Sequence, residues 1–176
     1  MKNELNKIKQ EKKLDSLEIS NLIYETGNFI VEAMQKALVT RLDGGHITIT
    51  PKIRVDNRTL LTPKLAIELM YLTMLIGEAM TVGLINCGID IGRINYQDNG
   101  NWGVFKPGGA YLHIHLYGRA KSATIQKYGE ACFFPFRETG FYDDFEPLNN
   151  TDIIEIRKQI IHLLTLEKYR PENWGF

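Results

Sequence analysis

Hydrophobic and polar positions alternate most cleanly over residues 110–119. Leu112, Ile114 and Leu116 fall on one side of this stretch, and Tyr111, His113, His115 and Tyr117 on the other. A period of two predicts a β-strand, because successive side chains of a strand point to opposite faces. The apolar row predicts packing on a core. The opposite row sets two imidazoles side by side, and Gly118-Arg119 follows at once.

The other elements are predicted around this strand. Asn28 to Met34 is strand-like, residues 37–42 are a weaker strand, and Asp43-Gly44-Gly45 is a turn. His46 to Thr50 alternates again, with Ile47 and Ile49 opposite His46, Thr48 and Thr50, and Pro51 ends the strand. Thr62-Pro63 opens a helix, threonine as N-cap and proline at the first helical position. Its apolar stripe runs through Leu65, Leu69, Leu72, Leu75 or Ile76, and Ala79 to about Val82. Met70, Met74 and Met80 widen that stripe as core positions, and Gly83 or Gly88 punctuates the end. A strand over 89–97, a turn at Asp98-Asn99-Gly100-Asn101, a short strand over 102–105 and a second turn at Lys106-Pro107-Gly108-Gly109 lead into the histidine strand as a continuous antiparallel meander.

Residues 120–150 carry Phe133, Phe134, Phe136, Phe141, Tyr142 and Phe145 between turn formers. They read as an irregular segment that wraps the core or a partner subunit. A last helix opens near Thr151-Asp152, where Asp152 and Glu155 have capping-box spacing, and it continues through Ile153, Ile156, Ile160, Leu163 and Leu164. At the other end a lysine-rich tail precedes a short helix over about 14–24. Helices and an antiparallel sheet in this order predict an α+β domain. It divides into a tail and short helix over 1–24, a core over 25–120, and an extension over 121–176 packed on the same domain.

Composition narrows the function without choosing it. The 21 basic and 21 acidic residues cancel, which gives no support for a nucleic-acid-binding surface. Two cysteines, Cys87 and Cys132, are too few for a disulfide framework and lack metal-finger spacing. No secretory h-region is visible at the start, and no run approaches the roughly 18 apolar residues of a membrane span. A cytoplasmic protein is expected, with no nucleic acid and no membrane as partner.

The chemistry therefore falls on His113 and His115. A neutral imidazole is a competent nucleophile near neutral pH, and a same-face neighbour can donate to a phosphate oxygen as charge develops. Backbone N–H groups of the Lys106–Gly109 turn could add anion contacts. His-x-His on a strand is also a common pair of metal ligands, with His46 as the third. Arg119 and Lys121 either steer phosphate or form a solvated strand end. Trp102 reads as a core residue rather than a base-stacking platform, Cys132 as a small core residue rather than a nucleophile, and His162 as a packing or solvent-facing residue.

The same residues resemble a known family. Tyr111-Leu112-His113-Ile114-His115-Leu116-Tyr117, followed by Gly118-Arg119, is similar to the His-φ-His-φ-His-φ-φ strand (φ apolar) of the histidine triad, or HIT, superfamily. Gly44-Gly45-His46-Ile47-Thr48-Ile49-Thr50-Pro51-Lys52 resembles the family's glycine–histidine strand, and Leu61-Thr62-Pro63-Lys64 the start of its central helix. Gln97-Asp98-Asn99-Gly100 resembles the polar turn that supplies an asparagine. The resemblance implies a HIT-like antiparallel sheet of about five strands with a central helix and N- and C-terminal helices. It implies a nucleotide hydrolase or nucleotidyl transferase, working through a nucleotidyl-histidine intermediate on His113, with no cofactor and no metal. Dinucleoside polyphosphates or nucleoside phosphoramidates would be its substrate class. His115 would bind phosphate oxygens, and His46, Asn99, Tyr111 and Arg119 would complete the binding site. A homodimer binding a small-molecule nucleotide is implied too. The chain departs from the pattern where the first triad histidine is Tyr111, where Pro107 and Gly108 replace the usual Gln and Ser or Thr, and at Arg54, where His is common. These departures keep open the alternative of a nucleotide-binding protein with little or no turnover.

Overall fold

The computed structural model describes residues 21–175. Its strands are β1 (Leu22–Glu25), β2 (Phe29–Ala33), β3 (His46–Pro51), β4 (Ile91–Asp98) and β5 (Ile114–Ala120). They form one antiparallel sheet in the order β1-β2-β3-β5-β4. Helix α1 (Pro63–Asn86) packs on β3, β4 and β5, and α2 (Asn150–Leu163) packs on α1 and against β1. The α+β class, the antiparallel sheet, the central helix and the C-terminal helix all follow the sequence pattern.

The core lies between the sheet and α1. Val31, Ile47, Ile49, Leu116, Leu72, Leu75, Ile76 and Leu84 are all fully buried there. Thr62 caps α1 through its hydroxyl, which accepts from the Leu65 N–H, and Pro63 occupies the first turn, where a missing N–H is harmless. The helix runs to Asn86, further than expected. Gly83 is an interior position where the helix meets Ile156 of α2, and Gly88, at φ +85°, follows the end. By length and composition α1 could cross a membrane, with a mean hydropathy of 1.5. Its Leu72, Leu75, Ile76, Ala79, Met80 and Leu84 are instead buried in this domain.

Several expected elements differ. Residues 22–25, expected as the end of a helix over 14–24, form edge strand β1, because Ile23 buries in the core while the backbone pairs with β2. Leu22-Ile23 is too short an apolar run to distinguish the two periods. Residues 1–20 and Phe176 lie outside the described residues, and with them the lysine-rich tail and most of that helix. Residues 37–42 are not a strand; they end in a short 3-10 turn, Arg41–Asp43. The 102–105 strand is absent, since Gly100–Gly103 is a 3-10 turn and β4 pairs directly with β5. Met70 and Met74 face outward rather than into the core. The true capping box of α2 joins Asn149 and Asp152, one turn earlier than Asp152–Glu155, and the same Asp152 carboxylate binds the Arg41 guanidinium.

One backbone contact sets the position of the histidine strand. Gly44 and Gly118 lie back to back: a Cβ on Gly118 would stand 2.1 Å from the Gly44 carbonyl oxygen, and one on Gly44 2.3 Å from the Gly118 carbonyl carbon. The Gly118 N–H donates to Gly45 O at 3.1 Å beside it. A side chain at either position would push the start of β3 away from β5. Overpacking of this kind costs about 1–3 kcal/mol or more. Gly118→Ala should therefore lower the unfolding free energy measured in urea by about 2 kcal/mol or more, whereas Gly27→Ala, with open space around its position, should stay within about 0.5 kcal/mol.

Candidate functional site

Strand register brings the site together. β3 and β5 pair with His46 opposite Tyr117 and Thr48 opposite His115, and β4 and β5 pair with Gln97 opposite His115. Because Leu112, Ile114 and Leu116 face α1, the histidines project from the other side of the sheet. His113 and His115 lie edge to face at 4.4 Å, and His46 reaches His115 from the neighbouring strand.

Hydrogen-bond partners fix the tautomers. The Leu38 N–H donates to His46 Nδ1 at 3.2 Å, so the neutral His46 ring carries its proton on Nε2. That Nε2–H lies 2.8 Å from His115 Nδ1, which must accept. The proton of His115 is therefore on Nε2, a buried atom with no hydrogen-bond partner among the described residues. His113 is oriented differently. Its Nδ1 lies 3.1 Å from the Tyr111 carbonyl oxygen, which can only accept, so Nδ1 carries the proton and Nε2 holds a free lone pair. The face thus offers one imidazole nucleophile and, on the adjoining ring, one unpaired N–H donor.

Both inner histidines are held neutral. Burial, then repulsion from His113, lowers the pKa of His115 from 6.5 to about 3. Burial and the neighbouring His115 and His113 also push His46 well below its ordinary value.

The expected site residues divide. Tyr111 stacks on His113 at 4.6 Å and 25°, and Arg54 sits over the Tyr111 ring at 5.6 Å. The Arg54 guanidinium also gathers the carbonyls of Gly108, Gly109 and Ala110. The glycine turn was expected to offer N–H groups to an anion; its carbonyls instead converge on this cation, and the Gly109 N–H is bound to Lys106 O. Asn99 reaches the histidine side through its amide, which donates to Tyr117 Oη at 3.4 Å. Arg119 does not join the cluster. It is buried, and its guanidinium donates to the carbonyls of Gln126, Lys127 and Glu130 and to Cys132 Sγ. It anchors the loop after β5. The sequence could not show this, because Arg after Gly at a strand end looks the same in either role.

Residues 123–145 cover the lower part of this face. The buried Asp43 carboxylate accepts from the backbone N–H groups of Thr124, Ile125 and Gln126. Phe134 then packs on Tyr117 at 4.9 Å, and Tyr142, Phe141 and Phe145 join Leu38 and Val39. The aromatic segment thus wraps its own domain. A cavity of about 370 Å³ lies beyond it, bounded by Lys36, Arg137, Tyr142 and Asp143 among others. Trp102, expected as a core residue, is 45% exposed on the turn after Asn99. Among the described residues no group of three His, Cys, Asp or Glu side chains is arranged to hold a metal ion.

No protein-family model matches the chain, and no curated protein sequence matches it. Solved structures do. A hypothetical histidine triad nucleotide-binding protein from Sulfolobus tokodaii superposes with a TM-score of 0.54 at 15% identity, covering 86% of this chain and 90% of that one. A zinc-bound histidine triad family protein from Mycobacterium smegmatis gives 0.54 at 16% identity, covering 86% and 91%. A HIT-like protein from Bartonella henselae gives 0.51 at 14% identity, covering 84% and 92%. At these identities the likeness is one of fold: the chain has the architecture of the histidine triad proteins.

The depressed histidine pKa values carry a stability consequence. Above about pH 6.5 His115 is neutral whether the chain is folded or not, so its titration contributes no pH dependence. Below that, the unfolded chain takes up a proton that the folded ring refuses until about pH 3. Stability should therefore fall as pH drops from 6.5 to 5, before most carboxylates titrate. His115→Gln should flatten that fall in thermal unfolding curves measured across this interval.

Proposed function

We propose that this chain, a protein of histidine triad fold, is a nucleotide hydrolase or nucleotidyl transferase acting at an α-phosphate through His113. The observation that carries the reading is the pair of opposed tautomers. His113 Nδ1–H is held by the Tyr111 carbonyl, which leaves Nε2 as nucleophile, while the unpaired His115 Nε2–H stands on the adjoining ring. A buried donor without a partner costs about 1–3 kcal/mol, a cost that a phosphate oxygen at this place would remove.

In the first step the His113 Nε2 lone pair attacks the α-phosphorus. An N–P bond forms, the bond from phosphorus to the leaving oxygen or nitrogen breaks, and the leaving group takes that electron pair and a proton from solvent. His115 Nε2–H donates to an oxygen that gains charge. Tyr111 O bonds the Nδ1–H as the ring becomes cationic. In the second step water, or another acceptor hydroxyl, attacks the phosphorus, its proton passes to solvent, and the N–P electrons return to Nε2. His46 fixes the tautomer of His115, and Asn99 fixes Tyr117. No metal or cofactor has a role in either step. Dinucleoside polyphosphates and nucleoside phosphoramidates are the substrate class that suits this chemistry, in a cytoplasmic homodimer that does not bind nucleic acid or membrane.

A second reading, nucleotide binding with little turnover, is favoured by the loop before Tyr111. Pro107 and Gly108 offer no side-chain donor there, and the loop carbonyls are turned to Arg54.

Intact-mass spectrometry after incubation with diadenosine tetraphosphate or adenosine 5′-phosphoramidate tests the first reading. Wild type should gain one adenylyl group, mapped to His113, and His113→Asn should gain none and lose at least about 100-fold in turnover. Nucleotide binding by calorimetry with no adduct and no product would leave the second reading. Turnover unchanged in His113→Asn would overturn the assignment of the nucleophile.

A further inference from the structure

The aromatic side chains around the histidine face differ in what their rings touch. Tyr111 is engaged by His113 and by Arg54. Tyr117 is fully buried and nearly parallel to His115, at 5.4 Å and 9°. Phe134 packs on Tyr117 at 4.9 Å, and Trp102 meets Phe134 edge to face at 5.9 Å and 75°. These rings form an unbroken row from the buried imidazole to an indole that is 45% exposed.

Trp102 is exposed but not loose. Its backbone N–H donates to Asn99 O at 3.0 Å, and the Asn99 amide reaches Tyr117. On the other side of the turn, Gly103 approaches the loop before Tyr111 so closely that a Cβ there would stand 3.0 Å from Gly109 O. The turn is therefore tied to both flanks of the histidine strand. A large apolar ring held open to water forgoes burial worth about 25 cal/mol per Å². An indole in such a position is suited to a flat aromatic ligand, because every nucleobase presents a π-face to stack on it.

We propose that Trp102 is the stacking platform for the nucleobase of the nucleotide bound at His113 and His115. The inference rests on the nucleotide reading of that site and adds the subsite that separates a nucleotide from a bare sugar phosphate. It assigns no particular base, since stacking is tolerant of base identity.

The chain has two tryptophans, so Trp174→Phe leaves Trp102 as the sole indole. AMP should quench its fluorescence, and ribose 5-phosphate should bind without quenching. The difference between wild-type and Trp102→Phe spectra gives the same signal should Trp174→Phe fold poorly. By calorimetry, Trp102→Ala should bind AMP about 10-fold more weakly, Trp102→Phe should recover most of the loss, and ribose 5-phosphate should bind all three proteins alike. AMP binding no tighter than ribose 5-phosphate, with no quenching, would overturn the subsite and leave the phosphate site standing. Tighter AMP binding that neither quenches Trp102 nor weakens in Trp102→Ala would place the base elsewhere, for instance in the cavity at Lys36, Arg137 and Tyr142, and would also overturn it. If neither ligand binds, the nucleotide reading falls and the platform falls with it.

Discussion

The contact on which this structure most depends is the backbone approach of Gly44 to Gly118. It joins the turn before β3 to the middle of β5, and two side chains could not fit between them. That approach allows His46 to stand opposite Tyr117 and to reach His115 with its Nε2. Because side chains alternate across a strand, slipping the pairing by one residue would turn the histidines onto the α1 side and Leu112, Ile114 and Leu116 away from it. The hydrophobic core and the site are thus specified by the same register. Core burial holds β5 in place from one face, and the histidine relay exploits that placement on the other.

The relay itself is a small device with a definite direction. It starts at a main-chain N–H, that of Leu38 in the loop between β2 and β3. It passes through two buried neutral imidazoles and ends at a donor with no partner among the described residues. A chain of this kind needs neutral rings, and burial supplies that condition by disfavouring the charged form. His113 stands apart because its Nδ1 answers to the Tyr111 carbonyl instead of another ring. His113, the residue before β5, and His115 within it therefore acquire different tautomers from their neighbours alone. The group at residue 111 that orients His113 is a backbone oxygen, which any residue there would provide.

Much of the fold was legible in the sequence. Period-two alternation marked β3 and β5, and the threonine cap with proline marked the start of α1. His46, Asn99, Tyr111, His113 and His115 were named from pattern and resemblance, and the sheet places them on one side. Local pattern failed where a short apolar run fits more than one period, as in residues 22–25. It failed for residues 102–105 because their aromatic and branched side chains favour a strand, whereas β4 pairs directly with β5 and leaves these residues in the connection between the two. It failed for Arg119 because the loop it anchors lies up to 13 residues away.

The sequence by itself determined which residues face the core and which face the site, because alternation along one strand is a local property and burial is its cause. It also supplied the glycines without which β3 and β5 could not close. Only the tertiary structure decided which imidazole carries its proton where, since a tautomer is set by the partner across space. The partners here are Leu38, His115 and the Tyr111 carbonyl in the loop before β5. Only the tertiary structure, too, turned Trp102 from an expected core residue into an exposed ring at the end of an aromatic row. Exposure depends on what folds over a residue, and residues 123–145 cover Tyr117 but stop at the edge of the indole.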